Sequence, residues 1–232
     1  MKTCAEDLRE LPNYTVTEAA HCLQLPTTTL RQWVAGRRDL HYHKRWLFEP
    51  LIHPASETPP LRSFLNLVEA HLLSALPREH QVRMAHIREA LKYLAHNLPS
   101  PYPLADQQFE TDGLSIFLQR YGELIDIGQA GQLAMHEVLE TYLRRIDRDE
   151  VGLAARLYPF TSITHLDTSR SIVIDPQLAF GRPVLARRGI PTIVIAQRYK
   201  AGESMGSLMK DYGCEQIEIE EAIRCELRLE AA

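Results

Sequence analysis

Apolar residues recur at helical spacing along most of the chain, and prolines and glycines punctuate the pattern. Between residues 14 and 36, Ala19, Ala20 and Cys22 fall on one short stretch and Leu30, Trp33 and Val34 on the next, with Leu25-Pro26 between them. Proline cannot continue a helix ahead of it, so this dipeptide marks a turn. Thr15 or Thr17 is the candidate cap of the first helix, Thr27 the cap of the second, and Gly36 the stop. Two short helices joined by a tight turn describe a helix-turn-helix. RWLFEPLI (45–52) leans toward aromatic and β-branched residues and is expected to supply a wing strand, while HPASETPP (53–60) reads as a linker.

Leu61, Leu65, Val68, Leu72 and Leu76 then repeat as one face of an amphipathic helix over 62–76, ended by Pro77. Met84, Ile87, Leu91, Leu94 and Leu98 form the face of another, and the prolines of NLPSPYPLAD (97–106) require a loop. FETDG, LSIFLQR and GELIDIG read as strands around a hairpin turning at Tyr121-Gly122. Leu139, Tyr142 and Ile146 mark a helix from Gln132 to Ile146. From residue 171 onward the pattern is a strand, a Gly/Pro-turned hairpin and three short helices arranged as a second helix-turn-helix. A short echo between His86–Leu91 and Glu218–Ile223 fits either duplication or convergent helix patterning. The expected fold is α+β and mainly helical, in three units: a winged helix-turn-helix over 1–60, a mixed central region with a β-hairpin over 61–160, and a terminal module over 161–232.

The composition, 45% hydrophobic and 24% charged, is that of a globular protein, and 232 residues are enough to bury one large core or several small ones. Cys4, Cys22, Cys214 and Cys225 show no CxxC spacing, which argues against a zinc knuckle or disulfide framework and for a reducing cytoplasm. The acidic start MKTCAEDLRE is not a signal peptide, and no apolar run approaches the ~18 residues of a membrane span. A formal charge of −4 excludes a uniformly basic coat, so any contact with nucleic acid must come from a local patch.

One such patch exists. From Thr27 to Phe48 the chain carries Arg31, Arg37, Arg38, Lys44 and Arg45 against the single acid Asp39. Thr27 and Thr28 at the helix start can donate to phosphate, and Arg31 and Gln32 lie where base edges are read, arginine on guanine and glutamine on adenine. Trp33 reads as a core aromatic. The last helix has the opposite character, with Glu215, Glu218, Glu220, Glu221, Glu226 and Glu230 against Arg224 and Arg228. Carboxylates driven against phosphates repel, so Glu218, Glu220 and Glu221 are assigned to a protein contact or to a solubilising face. Arg182, Arg187 and Arg188 on the hairpin form a further basic patch, suited to phosphate or to a partner's carboxylates. The chain has no Walker loop, GxSxG, HExxH or GxGxxG. His41 and His43 flank Tyr42 on an expected turn and face solvent or phosphate more readily than a metal. Asp106, Glu110, Asp112, Glu123 and Asp126 are turn carboxylates without a nucleophile or base nearby. No catalytic residue, metal site or cofactor is expected.

Ile174-Asp175-Pro176, Phe180-Gly181-Arg182-Pro183, Ile190-Pro191-Thr192, Arg198, Ala201-Gly202-Glu203-Ser204, Ile219 and Ala222-Ile223 resemble the bacterial domain of unknown function 433, a module of antitoxins. Thr29, Leu30, Arg31 and Trp33 resemble the recognition helix of MerR-type regulators, without that family's effector-binding and dimer-forming C-terminus. The whole chain is similar to the longer VapB-type antitoxins. That resemblance implies a non-enzymatic protein that binds a PIN-like ribonuclease toxin, represses its own operon at operator DNA, and acts as a homodimer or within a larger toxin–antitoxin complex. The alternatives are a stand-alone transcriptional regulator and a protein-interaction module that does not bind DNA.

Overall fold

Thr15 opens the first helix with a reciprocal cap: its hydroxyl accepts from the Glu18 amide, and the Glu18 carboxylate accepts from the Thr15 amide at 2.8 Å. The computed structural model describes residues 7–35, 37–38, 46–48, 50–76, 84–98, 100–125, 129–161 and 170–227. Helix α1 (Val16–Cys22) is followed by α2 (Thr27–Ala35) and by an antiparallel pair, β1 (Arg37–Arg38) and β2 (Trp46–Phe48), which is the expected wing. Pro77 and Gly36 lie outside the described residues.

The proline-rich tract is not a linker. Ser56–Glu57 (β3) pairs with Pro60–Leu61 (β4) around Thr58-Pro59, and Arg62 then exchanges backbone hydrogen bonds with Tyr14. The tract turns the chain back onto its own start: Ile52 just before it and Arg62 just after it are both buried, and Arg62 pairs with the buried Tyr14. Helix α3 (Phe64–Leu73) also differs from expectation. Every residue in it is buried, so it is a central helix rather than an amphipathic one.

The largest revision concerns residues 109–125. They form no strands: a π-helical turn (Phe109–Gly113) runs into α5 (Leu114–Ile125), which packs on α4 (Met84–Asn97). The buried residues Phe109, Leu114, Phe117, Leu118 and Tyr121 repeat at helical spacing, and this outweighs the local preference of Ile and Phe for strands. Gly122 is not a turn residue. A Cβ there would stand 2.4 Å from Nε2 of Gln132, so glycine leaves the room that this side chain of the next helix, α6 (Gln129–Leu143), occupies. The central hairpin is instead β5 (Ile146–Arg148) with β6 (Ala154–Leu157), and Ile146, expected to end a helix, begins that strand.

Leu157 and Ile174 exchange backbone bonds of 3.0 and 2.8 Å, linking β6 to the terminal module. That module comprises β7 (Ile172–Val173), β8 (Val184–Leu185), α7 (Thr192–Lys200), α8 (Met205–Tyr212) and α9 (Gln216–Leu227), as the sequence predicts. The chain is therefore α+β and mainly helical, with the described strands in antiparallel pairs. One cluster of buried side chains runs from Tyr14 to Ile174, and a second is built on Ile172, Leu185, Ile195, Leu208 and Ile219. No described helix is long and apolar enough to cross a membrane.

Glu69 sits inside α3 at 5% exposure, and Asn66 donates to it at 3.3 Å. Burial pushes its carboxyl up to about 8 from an ordinary value of 4.5. The unfolded chain therefore ionises Glu69 where the folded chain keeps it protonated. The cost to the fold grows by about 1.4 kcal/mol per pH unit between those two values, levels off above them and is absent below them. Glu69→Gln should accordingly gain thermal stability over the parent progressively from about pH 5 to about pH 8. Parallel melting curves across that range would show instead that the carboxyl is not held neutral.

Candidate nucleic-acid interface

The turn between α1 and α2 is set by Gln24, whose φ of 54° bends the chain back so that the Leu25 amide reaches the Ala20 carbonyl. The carbonyl of Pro26 accepts from the Thr29 and Leu30 amides, so Pro26 holds the cap position and Thr27 lies inside the first turn rather than capping it. Helix α2 buries Leu30, Trp33 and Val34, with Trp33 only 2% exposed. Its outer face presents Thr28, Arg31, Gln32 and Ala35, which helical spacing stacks on one side. Thr27 is half-buried at the edge of this face. Among the described residues no carboxylate pairs with Arg31, leaving its guanidinium open to an external acceptor. The Trp33 carbonyl accepts from Leu51 and Ile52, so the returning chain fixes α2 beside the wing. Arg37 and Arg38 supply the backbone of β1, but their side chains lie outside the described residues, as do Lys44, Arg45, His41 and His43.

The face opposite is joined to the terminal module. The Tyr14 hydroxyl donates to the Gly181 carbonyl at 2.8 Å, and Asn13 donates to Phe180 O at 2.7 Å. Arg182 pairs with Glu18 at 2.8 Å, and Gln24 donates to the Cys225 carbonyl at 2.6 Å. His21 meets the Glu226 carboxylate at 2.9 Å, and the Thr192 hydroxyl bonds to the other oxygen of the same carboxylate. Burial alone would raise Glu226, yet these hydrogen bonds outweigh it and hold the group below the ordinary carboxylate range. A cleft of about 470 Å³ opens along this seam, between α1 and the start of α7. Sequence reading missed the seam, since nothing in the spacing of Asn13, Tyr14, His21 and Gln24 connects them to residues 180–226.

The glutamates of α9 do not form the outward acidic face expected of them. Glu218 turns back to accept from the Glu215 amide at 2.9 Å and is buried. Glu221, 2% exposed, takes hydrogen bonds from the Thr161 hydroxyl and from Arg224, and burial raises its carboxyl despite Arg224 and Arg145. With Glu226 also inside, the outer face of α9 is Gln216, Ile217, Glu220 and Arg224. Glu218 and Glu221 are thus not available to a partner in this fold, whereas Glu220 is half-buried at the surface. The three hairpin arginines do not converge either. Arg182 lies in the seam, Arg188 donates to the Gly213 carbonyl at 2.7 Å, and Arg187, with 74% of its side chain exposed, faces Glu215 at 3.9 Å. Asp126 lies outside the described residues, and Glu110 pairs with Arg148 at 3.0 Å. Among the described residues no three His, Cys, Asp or Glu side chains are grouped to hold a metal.

Charge reversal separates these glutamates. Glu220→Lys should leave the melting temperature within a few degrees, as a surface change of about 0.5 kcal/mol does. Glu221→Lys would bury an ammonium beside Arg224 and should unfold the terminal module or cost several kcal/mol, on the order of breaking a buried pair. Denaturant titration of the two variants decides this, and equal midpoints would refute the buried placement of Glu221.

Residues 172–224 match the family described as "Protein of unknown function (DUF433)", and residues 12–91 match the one described as "Putative DNA-binding HTH domain". The second match extends past the wing into α3 and α4, which share the core of the helix-turn-helix. A Mycobacterium tuberculosis protein named "Putative antitoxin VapB45" is 29% identical, over 92% of this chain and 93% of its own length. The crystal structure of Rv2018 from Mycobacterium tuberculosis superposes with a TM-score of 0.67 at 26% identity, covering 92% of this chain and 98% of that one. The chain thus carries an N-terminal helix-turn-helix domain and a C-terminal DUF433 domain, and it is similar over nearly its whole length to a mycobacterial protein named as an antitoxin.

Proposed function

We propose that the protein is the antitoxin of a type II toxin–antitoxin pair, acting in the cytoplasm as a non-enzymatic homodimer. It represses its own operon by placing α2 in the major groove of operator DNA, and it neutralises a PIN-like ribonuclease toxin. The observation that carries the DNA half is the outer face of α2, where Thr28, Arg31 and Gln32 stand together on a helix anchored by Leu30, Trp33 and Val34. Thr28 serves phosphate, while Arg31 and Gln32 supply two-pronged contacts to guanine and adenine. Arg37, Arg38, Lys44 and Arg45 of the wing segment add phosphate contacts. The terminal helix-turn-helix is not the reader, because Glu215 is exposed just ahead of α9 and the one cation on its outer face, Arg224, is already paired with Glu220 and Glu221.

The toxin half rests on the similarity to a protein named as an antitoxin and on the carboxylate-rich active site of PIN-like enzymes. Inhibition is by occupancy. Of the hairpin arginines, Arg187 has 74% of its side chain exposed and is only loosely paired, at 3.9 Å from Glu215, and it is the one suited to reach such an acidic site.

Binding to a labelled duplex from the chain's own promoter tests the first half. Arg31→Ala should weaken it by about 1–3 kcal/mol and relax base preference, and affinity should fall steeply with salt. Unchanged affinity in the folded variant would remove α2 as the reader. For the second half, the protein is titrated into the ribonuclease encoded beside it. Activity should vanish at a fixed molar ratio, with Arg187→Ala shifting the inhibition curve to higher antitoxin. Metal-dependent RNA cleavage by the isolated chain would reverse the assignment.

A further inference from the structure

Phe180 is 87% exposed, the most exposed aromatic side chain among the described residues. It sits in an unfavourable backbone conformation, with φ of 45° at Ala179 and 55° at Phe180, in a region where a Cβ is crowded. The turn is nonetheless held firmly. Asn13 and Tyr14 bond the carbonyls of Phe180 and Gly181, and a Cβ on Gly181 would stand 2.1 Å from the Tyr14 hydroxyl. The backbone that carries the ring is therefore fixed before any partner arrives, and little of its freedom is lost on binding.

Beside it lies the seam cleft. Its apolar walls come from Cys22 on α1 and from Pro183 and Ile193, with Thr17 at its edge. At about 470 Å³ it is ample for a benzyl group, since roughly 150 Å³ admits benzene. The ionisable side chains that line it are already engaged with one another, Glu18 with Arg182 and His21 with Glu226, so it suits a neutral guest rather than a phosphate or an ammonium. Phe180 does not fill the cleft of its own chain, being solvent-exposed, yet Arg182, two residues along, lines it.

We propose that Phe180 of each chain inserts into the seam cleft of a second copy, giving a two-fold dimer; this rests on the homodimer of the reading above and supplies its interface. A two-fold interface requires the same patch to be complementary to itself. A knob and a hole side by side on one patch meet that condition, whereas a knob remote from its hole makes head-to-tail contacts, which build rings or open chains. Ile193 and Val194, exposed at the start of α7, extend the apolar rim around the inserted ring. Because the cleft lies between α1 and the terminal module, the dimer also sets how far apart two α2 helices stand.

The test is sedimentation velocity on the full chain over a concentration series. The variants are Phe180→Ala, which removes the knob, and Thr17→Trp, which obstructs the hole from an exposed position on α1. The parent should dimerise, and each variant alone should associate at least about thirtyfold more weakly, as for a buried interface anchor. Mixed one to one, the variants should regain part of the association, because one intact knob then meets one intact hole. A parent that stays monomeric, a Phe180→Ala chain that dimerises like the parent, or a mixture that regains nothing overturns the proposal. The same chains are then bound to promoter duplexes, whole and bisected. Phe180→Ala should lose affinity for the whole site while holding the bisected one like the parent. Failure of the parent to bind either duplex would refute the DNA reading and leave the sedimentation result to decide the dimer.

Discussion

Tyr14 ties three distant parts of the chain together, and the placement of both helix-turn-helix units depends on it. Its backbone pairs with Arg62, which brings the chain back after the wing, and its hydroxyl reaches the Gly181 carbonyl of the terminal module. The ring is fully buried in the main core, and Arg182 stacks at 5.7 Å from its centre. A buried hydroxyl must find a partner or forfeit roughly 1–3 kcal/mol, so this hydrogen bond does more than decorate the contact. It also dictates glycine at 181, where φ is +73° and no Cβ fits beneath the hydroxyl. Helix α1 is consequently clamped on one side by the terminal module, and α2 is left as the face turned to solvent.

The distribution of charge follows the same logic. A chain with a formal charge of −4 has to keep acids away from any surface that meets nucleic acid. It does so partly by turning them inward: Glu218, Glu221 and Glu226 are each taken up by a cap, a hydroxyl, an arginine or a histidine of the same chain. Arg31 has no such partner among the described residues. A glutamate-rich helix can thus be almost neutral on its outer face while its carboxylates hold a module together. Counting charges along α9 overstates what a partner would meet.

The elements that were legible in the sequence are those whose signal is local. Thr15 and Glu18 satisfy each other's backbone partners three residues apart, and Pro26 sits at the head of the second helix. The alternation after Arg45 and the Gly/Pro turns after residue 171 placed the wing and the terminal hairpin correctly. Residues 109–125 were misread because Ile116, Phe117 and Tyr121 favour strands in isolation and Gly122 looks like a turn. Their burial against α4 selected the helix, and Gly122 lies within it, beside the Gln132 side chain of the next helix.

By itself the sequence determined the order of the units, the two helix-turn-helix patterns, the burial of Trp33 and the position of Arg31 and Gln32 on a helix start. Each of these depends on interactions within a few residues, which spacing encodes directly. Only the tertiary structure decided which acids face solvent, that α3 is covered on every side, that the prolines at 59 and 60 turn a hairpin instead of spanning a gap, and that Asn13 and Tyr14 hold the turn displaying Phe180. Those outcomes depend on which segments pack together, from the return of Arg62 onto Tyr14 to the contact of Asn13 with Phe180, and the periodicity of any single segment carries no information about that.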